Sequence, residues 1–234
     1  MKALIYKEFK LAMHPICYVF IAFFPFMILI PSYPIAVGFI YVLTCYPILF
    51  LGANKGQQSN DLLYSTLLPI RKKDIVLARI ITVIIIQFAF IALMSALYPV
   101  ALLIQNSIQV GAEAEAEATA IASPGLGLNG YVSVLGISII GFAIADLMFF
   151  PIYYKNGKSI VLSTLLMILV FVVYLCVFTI ILPYVKGFEW YTKFLCESGI
   201  GVQFIVFGVA LVIYAAIHYL VYRISAKRLE KVDF

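Results

Sequence analysis

The chain has 234 residues, of which 65% are hydrophobic and only 12% are charged, and its net charge is +5. Ordinary globular proteins are about 45–50% apolar and about 25% charged, so this composition excludes an ordinary soluble domain. The apolar residues form long unbroken runs, which is the pattern of membrane-spanning helices. We therefore predict an all-α integral membrane protein that forms a single transmembrane domain over residues 1–234.

The amino-terminal segment, residues 1–14, is too short and too charged to cross a bilayer. At helical spacing, Lys7, Lys10 and His14 fall on one side, and apolar residues that include Phe9 fall on the other. This pattern is typical of a helix that lies in the membrane interface. The sequence therefore predicts an amino-terminal interfacial amphipathic helix.

Six later segments are apolar and approach or reach the length of a membrane span. A helix needs about 20 apolar residues to cross a hydrocarbon core about 30 Å thick. The predicted membrane spans are residues 16–30, 34–51, 75–104, 131–154, 160–184 and 202–222. The first of these is the shortest, and it contains Pro25.

The basic residues indicate how these spans are oriented. If the amino terminus lies in the cytoplasm, all Lys and Arg residues fall on the inner side except Lys186 and Lys193. Cytoplasmic loops of membrane proteins carry an excess of Lys and Arg, so this asymmetry supports the orientation and the even number of spans. We predict a multi-pass protein of the bacterial plasma membrane with both termini in the cytoplasm.

The polar stretch between the second and third spans, residues 54–79, is the most informative part of the chain. A short helix over residues 60–68 can be capped by its first two residues and is ended by Pro69. Its leucines form an apolar face, which an ordinary connector does not need unless a partner or the membrane covers it. We predict that this stretch docks on a partner. The predicted docking residues are Asn60, Asp61, Leu62, Leu63, Thr66, Leu67 and Arg71.

Asp146 is the one acidic residue well inside an apolar run. A carboxylate at the middle of a membrane helix costs about 2.5–3.5 kcal/mol on insertion scales, so we expect Asp146 to have a partner. Arg79, at a similar predicted depth, is the proposed partner. Three roles stay open for Asp146: an ion pair that locks helices together, a lining of the transport path, or proton coupling. His14 and His218 stand alone in the sequence, and we expect them to be structural or interfacial.

Motifs for catalysis and nucleotide binding are missing from the sequence. It contains no GxxxxGK[ST], HExxH or GxSxG motif and no Cys/His spacing typical of a metal site. The chain is therefore expected to be neither an enzyme nor a cofactor-binding protein, and no nucleic-acid partner is expected. A chain that lacks a nucleotide site but presents a polar docking stretch to the cytoplasm must take its energy from elsewhere.

The sequence SNDLLYSTLLPIRKKDIVLARII resembles the segment between the second and third spans of ABC-2 type permeases. The resemblance is to a small six-span group associated with bacterial peptide and antibiotic exporters. The matching positions are Asp61, Leu67–Pro69, Arg71–Lys73 and Asp74–Val76. The stretch FFPIYYKNGKSI, after Asp146, is similar to the end of the fourth span in this family.

The resemblance implies the permease subunit of an ATP-binding cassette exporter. Residues 60–68 would be its coupling helix, and residues 2–13 its interfacial connecting helix. A second permease copy, identical or related, would pair with this one, and each would dock on a separate ATPase subunit that holds ATP and magnesium. The size and layout resemble permeases for phenol-soluble modulins and antimicrobial peptides, which implies an amphipathic peptide or lipophilic cargo. An ion-gradient-driven secondary transporter and a non-pumping toxin-immunity membrane protein remain alternatives.

Overall fold

The computed structural model describes residues 2–12, 15–29, 70–112, 130–156, 160–182, 185–192, 194 and 199–231. Regular secondary structure within these ranges is helical throughout, which confirms the all-α prediction. The α-helices of these ranges are α1 (Lys2–Lys7), α2 (Pro15–Phe23), α3 (Lys72–Ala112), α4 (Tyr131–Asn156), α5 (Ile160–Leu175), α6 (Glu189–Thr192) and α7 (Ile200–Glu230). Three of them continue in turns of different width: α1 into a π-helix (Glu8–Ala12), α2 into a 3-10 helix (Phe24–Leu29) and α5 into a π-helix (Cys176–Ile181).

Four helical segments within the described ranges are long and apolar enough to cross a membrane. These segments are Lys72–Ile104, Tyr131–Lys155, Val161–Phe178 and Ile200–Glu230. They correspond to the predicted third to sixth spans. The predicted first span coincides with α2 and its 3-10 continuation, whereas the predicted second span, 34–51, and the predicted coupling helix, 60–68, lie outside the described residues. The total of six spans therefore stays a prediction.

Helices α3 and α4 run antiparallel to each other. Near one end, Arg79 donates a hydrogen bond to the Tyr153 hydroxyl at 3.1 Å. Near the other end, the rings of Tyr98 and Tyr131 stack with their centroids 4.3 Å apart. Rising residue numbers on α3 thus meet falling numbers on α4, as expected for two helices that cross a membrane in opposite directions.

Helices α4 and α7, in contrast, run parallel. Asp146 lies beside His218 at 3.0 Å, and further along both helices Arg228 donates a hydrogen bond to the Pro151 carbonyl at 2.6 Å. Two parallel spans require a connecting span in the opposite direction. Helix α5 fits this requirement because it runs antiparallel to α4: Phe142 stacks on Phe171 with the ring centroids 5.7 Å apart, and the Tyr174 hydroxyl donates to the Ile137 carbonyl at 2.9 Å.

Helix α4 is the centre of the bundle. Two thirds of its most apolar stretch (67%) is buried, compared with 18% for α5 and 17% for α7. Helices α5 and α7 therefore turn most of their apolar side chains to the outside, where a bilayer can solvate them. Close approach of α5 to α4 depends on Gly141, because a Cβ atom there would meet Phe171 at 2.8 Å and Tyr174 at 2.9 Å.

Candidate functional site

Two groups of polar side chains are buried between the helices. We call Gln87, Asp146, Tyr214 and His218 the central cluster, and Glu8, Arg79 and Tyr153 the basal cluster. All seven side chains are buried. Polar groups are costly inside a membrane domain unless they bond to one another, so such groups are candidates for a function or for holding helices together.

Helical periodicity explains why each cluster forms. Arg79 and Gln87 are eight residues apart on the buried stripe of α3, and Asp146 and Tyr153 are seven apart on the buried stripe of α4. These spacings correspond to about two turns of helix, so each pair lies on one face at two depths. Tyr214 and His218, one turn apart, share the face of α7 that meets α4. Because α3 and α4 are antiparallel, Arg79 lies at the depth of Tyr153, and Gln87 lies at the depth of Asp146.

In the central cluster, the Asp146 carboxylate connects three helices. Its Oδ2 atom accepts a hydrogen bond from Gln87 Nε2 at 2.9 Å and lies 3.0 Å from His218 Nε2. The Tyr214 hydroxyl donates to Gln87 Oε1. The other carboxylate oxygen, Oδ1, is buried and has no hydrogen-bond partner among the described residues.

The geometry around His218 restricts its protonation. The Nδ1 atom lies 2.9 Å from the Tyr214 carbonyl, which can only accept, so Nδ1 must carry a hydrogen. The Nε2 atom faces the Asp146 carboxylate, and a hydrogen bond there needs one proton on Nε2 or on Oδ2. Both arrangements leave the His218–Asp146 pair electrically neutral overall. A neutral pair is far less costly to bury than an isolated carboxylate.

In the basal cluster, Arg79 forms a bidentate ion pair with Glu8. The Nε atom lies 3.0 Å from Glu8 Oε2, and Nη2 lies 3.3 Å from Oε1. The third nitrogen, Nη1, donates to the Tyr153 hydroxyl. Two parallel bonds between guanidinium and carboxylate are among the strongest side-chain contacts, because both groups are planar and charged. This ion pair fixes the π-helical continuation of α1 against α3 and α4.

Asp146 thus has partners other than Arg79. Arg79 lies eight residues before Gln87, the α3 residue that contacts Asp146. A rise of about 1.5 Å per residue places these two α3 positions about 12 Å apart along the helix. The guanidinium is instead occupied by Glu8 and Tyr153 at its own depth. The expectation that Asp146 needs a partner agrees with the structure, but its partner is His218 and not Arg79.

Sequence reasoning missed His218 and Glu8 because each stands alone in its segment. The available signals were the four-residue spacing of Tyr214 and His218 within an apolar run, and the position of Glu8 as the lone acid among the first fourteen residues. Neither signal identifies the partner. That depends on which helices meet, which one sequence without an alignment does not reveal.

The structure describes only one of the predicted docking residues. Arg71 is exposed, and its carbonyl accepts a hydrogen bond from the Asp74 N–H at 2.9 Å at the start of α3. The other docking residues (Asn60, Asp61, Leu62, Leu63, Thr66 and Leu67) lie outside the described residues. Arg71 is eight residues before Arg79, so the basal cluster lies about 12 Å along the helix direction from Arg71, the last of the predicted docking residues.

Comparison with known proteins identifies the family. The family model described as ABC-2 family transporter protein matches residues 3–228, which include both buried clusters. No curated protein and no solved structure matches the chain. The match covers nearly the full length, and proteins of this family form the membrane component of ATP-binding cassette transporters. The chain therefore belongs to the ABC-2 transporter family and is an ATP-binding cassette transporter permease.

Proposed function

We propose that this permease is the membrane subunit of an exporter that is driven by a separate ATPase docked on residues 60–71. The observation that carries the proposal is the buried ion pair between Glu8 and Arg79. It joins the π-helical continuation of α1 to α3, about two helical turns after Arg71, the last of the predicted docking residues. A push on that stretch would therefore act on α1 and α3 as one unit.

The two clusters extend this connection through the bundle. Tyr153 links the Arg79 guanidinium to α4, and Asp146 links α4 to α7 through His218. Each link is a hydrogen bond or ion pair in a buried setting, where breaking one bond leaves a polar group unpaired. Such links favour motion of whole helices over local distortion. Nucleotide-driven movement of the docking stretch would tilt the helices together.

The cargo we propose is an amphipathic peptide or a lipophilic molecule, moved outward. The spanning segments carry few charged side chains. Buried acids among the described residues have partners: Glu8 pairs with Arg79, and Asp146 contacts His218. A path between such helices would be mostly apolar, which suits apolar cargo better than ions. The resemblance to peptide exporters favours cytolytic or antimicrobial peptides within this class.

The assembly we propose contains two permease copies, as a homodimer or a related heterodimer, each with an ATPase subunit. ATP and magnesium would bind on the ATPase, and the proposed location is the bacterial plasma membrane with both termini in the cytoplasm.

A toxin-immunity protein that binds a peptide without pumping it would share the membrane fold but would not need an ATPase.

A second candidate is a secondary transporter driven by a proton gradient, and the central cluster is the observation in its favour. His218 Nε2 and Asp146 Oδ2 lie 3.0 Å apart inside the bundle, and the buried Oδ1 atom of Asp146 has no hydrogen-bond partner among the described residues. Against this candidate stands the family match, because ABC-2 proteins work with an ATPase.

Co-purification and reconstitution test the proposal. The chain is co-expressed with a candidate ABC ATPase subunit, and the complex is placed in liposomes with a labelled amphipathic peptide. We expect Asp61→Arg and Leu67→Glu to abolish ATPase association without loss of membrane insertion. Glu230→Arg is the matched charge reversal, at an exposed position on α7 outside the docking stretch, and it should leave association intact.

Three results would contradict the proposal. Full assembly of both docking variants would show that the ATPase binds elsewhere. Peptide movement by the purified chain under a proton gradient, with no ATPase present, would favour the secondary transporter. Peptide binding without movement in the presence of ATPase and ATP would favour the immunity protein.

A further inference from the structure

The outward face of α7 changes from apolar to basic within one turn. Along this face Ile205, Val212 and Tyr219 have exposed fractions of 66%, 70% and 60%. Arg223 and Lys227 follow on the same face, and both are exposed. A helix turns by about 100° per residue, so these five positions lie within about 80° of one another around the axis.

The opposite face of α7 is the one that packs into the bundle. Tyr214, His218, Val221 and Ser225 are buried there, about 180° from the exposed face. Arg228 also belongs to the inner side, because its guanidinium donates to the Pro151 carbonyl. The exposed cations are therefore a separate set from the residues that hold α7 against α4.

The height of the exposed cations matches the headgroup layer of a bilayer. From Ile200 to Tyr222 the helix is about 33 Å long, which is close to the hydrocarbon thickness of about 30 Å. Arg223 then lies where the hydrocarbon ends, and Lys227 lies about 6 Å further out. Lys231, another turn on, is also exposed. Headgroups occupy roughly 5–7 Å on each side of the core, so the first two cations lie at the level of lipid phosphates.

We infer that the carboxyl end of α7 binds an anionic phospholipid, with its acyl chains along the apolar outward face and its headgroup at Arg223 and Lys227. We choose an anionic phospholipid as the ligand because the exposed cations directly continue the apolar row on the same face of α7. An acyl chain matches the row from Ile205 to Tyr219, and a headgroup with net negative charge matches the cations that continue this row. Glu230 is the only acid on α7, and it leaves the outward face with an excess of positive charge.

This inference needs only a membrane-spanning α7, and it does not depend on the cargo or on the direction of transport. It adds a lipid partner to the permease. Basic residues next to a membrane helix attract anionic lipids with about 1 kcal/mol each, which corresponds to about a fivefold change in affinity per cation. Removal of Arg223 and Lys227 together should therefore weaken the lipid preference by about 25-fold.

The test uses the full-length chain in nanodiscs made of phosphatidylcholine or of phosphatidylcholine with phosphatidylglycerol. Native mass spectrometry measures which lipid stays bound, and thermal unfolding measures its stabilising effect. We expect the parent chain to retain phosphatidylglycerol and to unfold at a higher temperature when it is present. The double variant Arg223→Gln/Lys227→Gln should lose both effects.

Two controls isolate the site. Lys186→Gln removes one exposed cation far from the carboxyl end of α7, as Lys227→Gln removes one at that end, and Lys186→Gln should keep the lipid preference. Arg223→Lys/Lys227→Arg keeps both positive charges, and this variant should also keep the lipid preference. These controls also separate lipid binding from the general effect of cations at a helix carboxyl end, which stabilises the helix equally in neutral lipid.

Three results would overturn the inference. The first is an unchanged preference for phosphatidylglycerol in the double variant. The second is an equal loss of lipid preference in Lys186→Gln and Lys227→Gln, which would indicate unspecific charge. The third is a double variant that keeps its lipid but no longer binds the ATPase, which would make this surface a protein contact. A misfolded double variant would be recognised by its size-exclusion profile, and the single variant Lys227→Gln then replaces it, with about a fivefold loss expected.

Discussion

The Asp146 carboxylate and the His218 imidazole lie 3.0 Å apart on α4 and α7, two parallel helices that α5 separates along the chain. Gln87 on α3 donates to the same carboxylate oxygen, so three helices meet at one buried atom. A membrane bundle gains little from the hydrophobic effect between its helices, and interhelical hydrogen bonds therefore contribute to its specific packing. Of the three roles considered for Asp146, this arrangement favours the structural one, which stays a prediction.

Replacement of Asp146 tests this role. Asp146→Asn keeps the shape of the side chain but puts an amide in place of the carboxyl group that contacts Gln87 and His218, so we expect a loss of about 1–3 kcal/mol in unfolding free energy. The measurement is thermal unfolding in nanodiscs. Asp74→Asn, a half-exposed acid at the start of α3, is the control and should change stability by no more than about 0.5 kcal/mol. A large shift in the pH dependence of transport with little loss of stability would instead support proton coupling.

A double-mutant cycle tests which residue is the partner of Asp146. Asp146→Asn and His218→Gln should show a coupling energy of about 0.5–3 kcal/mol, because the two side chains touch. The same cycle with Arg79→Gln in place of His218→Gln should give a coupling near zero, since Arg79 lies about two turns away. Both cycles are measured by unfolding. A larger coupling to Arg79 would contradict the arrangement described above.

The basal ion pair predicts a larger effect than the central cluster. Glu8→Gln leaves the Arg79 guanidinium buried beside a neutral amide, and loss of one partner of a buried pair costs about 3–5 kcal/mol. We expect α1 to detach, which limited proteolysis near the amino terminus would detect as faster cleavage. Glu230→Gln removes an exposed acid and should leave the cleavage rate unchanged. Equal cleavage rates for the two variants would show that the ion pair does not hold α1 in place.

The contact between α4 and α5 can be tested by substitution of Gly141, which lies where the two helices approach closely. Gly141→Ala places a Cβ atom against the rings of Phe171 and Tyr174, and Tyr174 is held by its hydrogen bond to the Ile137 carbonyl at 2.9 Å. Overpacking of this kind costs about 1–3 kcal/mol, which thermal unfolding would show. Gly208→Ala is the matched control, because no atom of the described residues lies within 4 Å of the place that its new Cβ would take. Similar stability of the two variants would mean that α5 can shift without cost.

The sequence by itself determined the class and most of the architecture. Long apolar runs require helices in a membrane, because every backbone polar group must be bonded within the helix. For this reason four of the predicted spans coincide with described helices to within a few residues at most ends. The exceptions are the end of the fifth span, which the apolar helix reaches at Phe178 and not at 184, and the end of α7, where polar residues continue the helix to Glu230 beyond the apolar run. The motif around Pro69 indicated the ABC-2 family, and the family match confirms it.

Only the tertiary structure decided which polar residues pair. Depth estimated from the sequence placed Asp146 and Arg79 at similar levels, but a difference of two helical turns is about 11 Å, far beyond the reach of a hydrogen bond. The packing of α7 against α4 brings His218 to Asp146, and the folding of α1 onto α3 brings Glu8 to Arg79. Periodicity assigns a residue to a face of its own helix. The partner across that face depends on which helices are neighbours and on their register, which are properties of the assembled bundle.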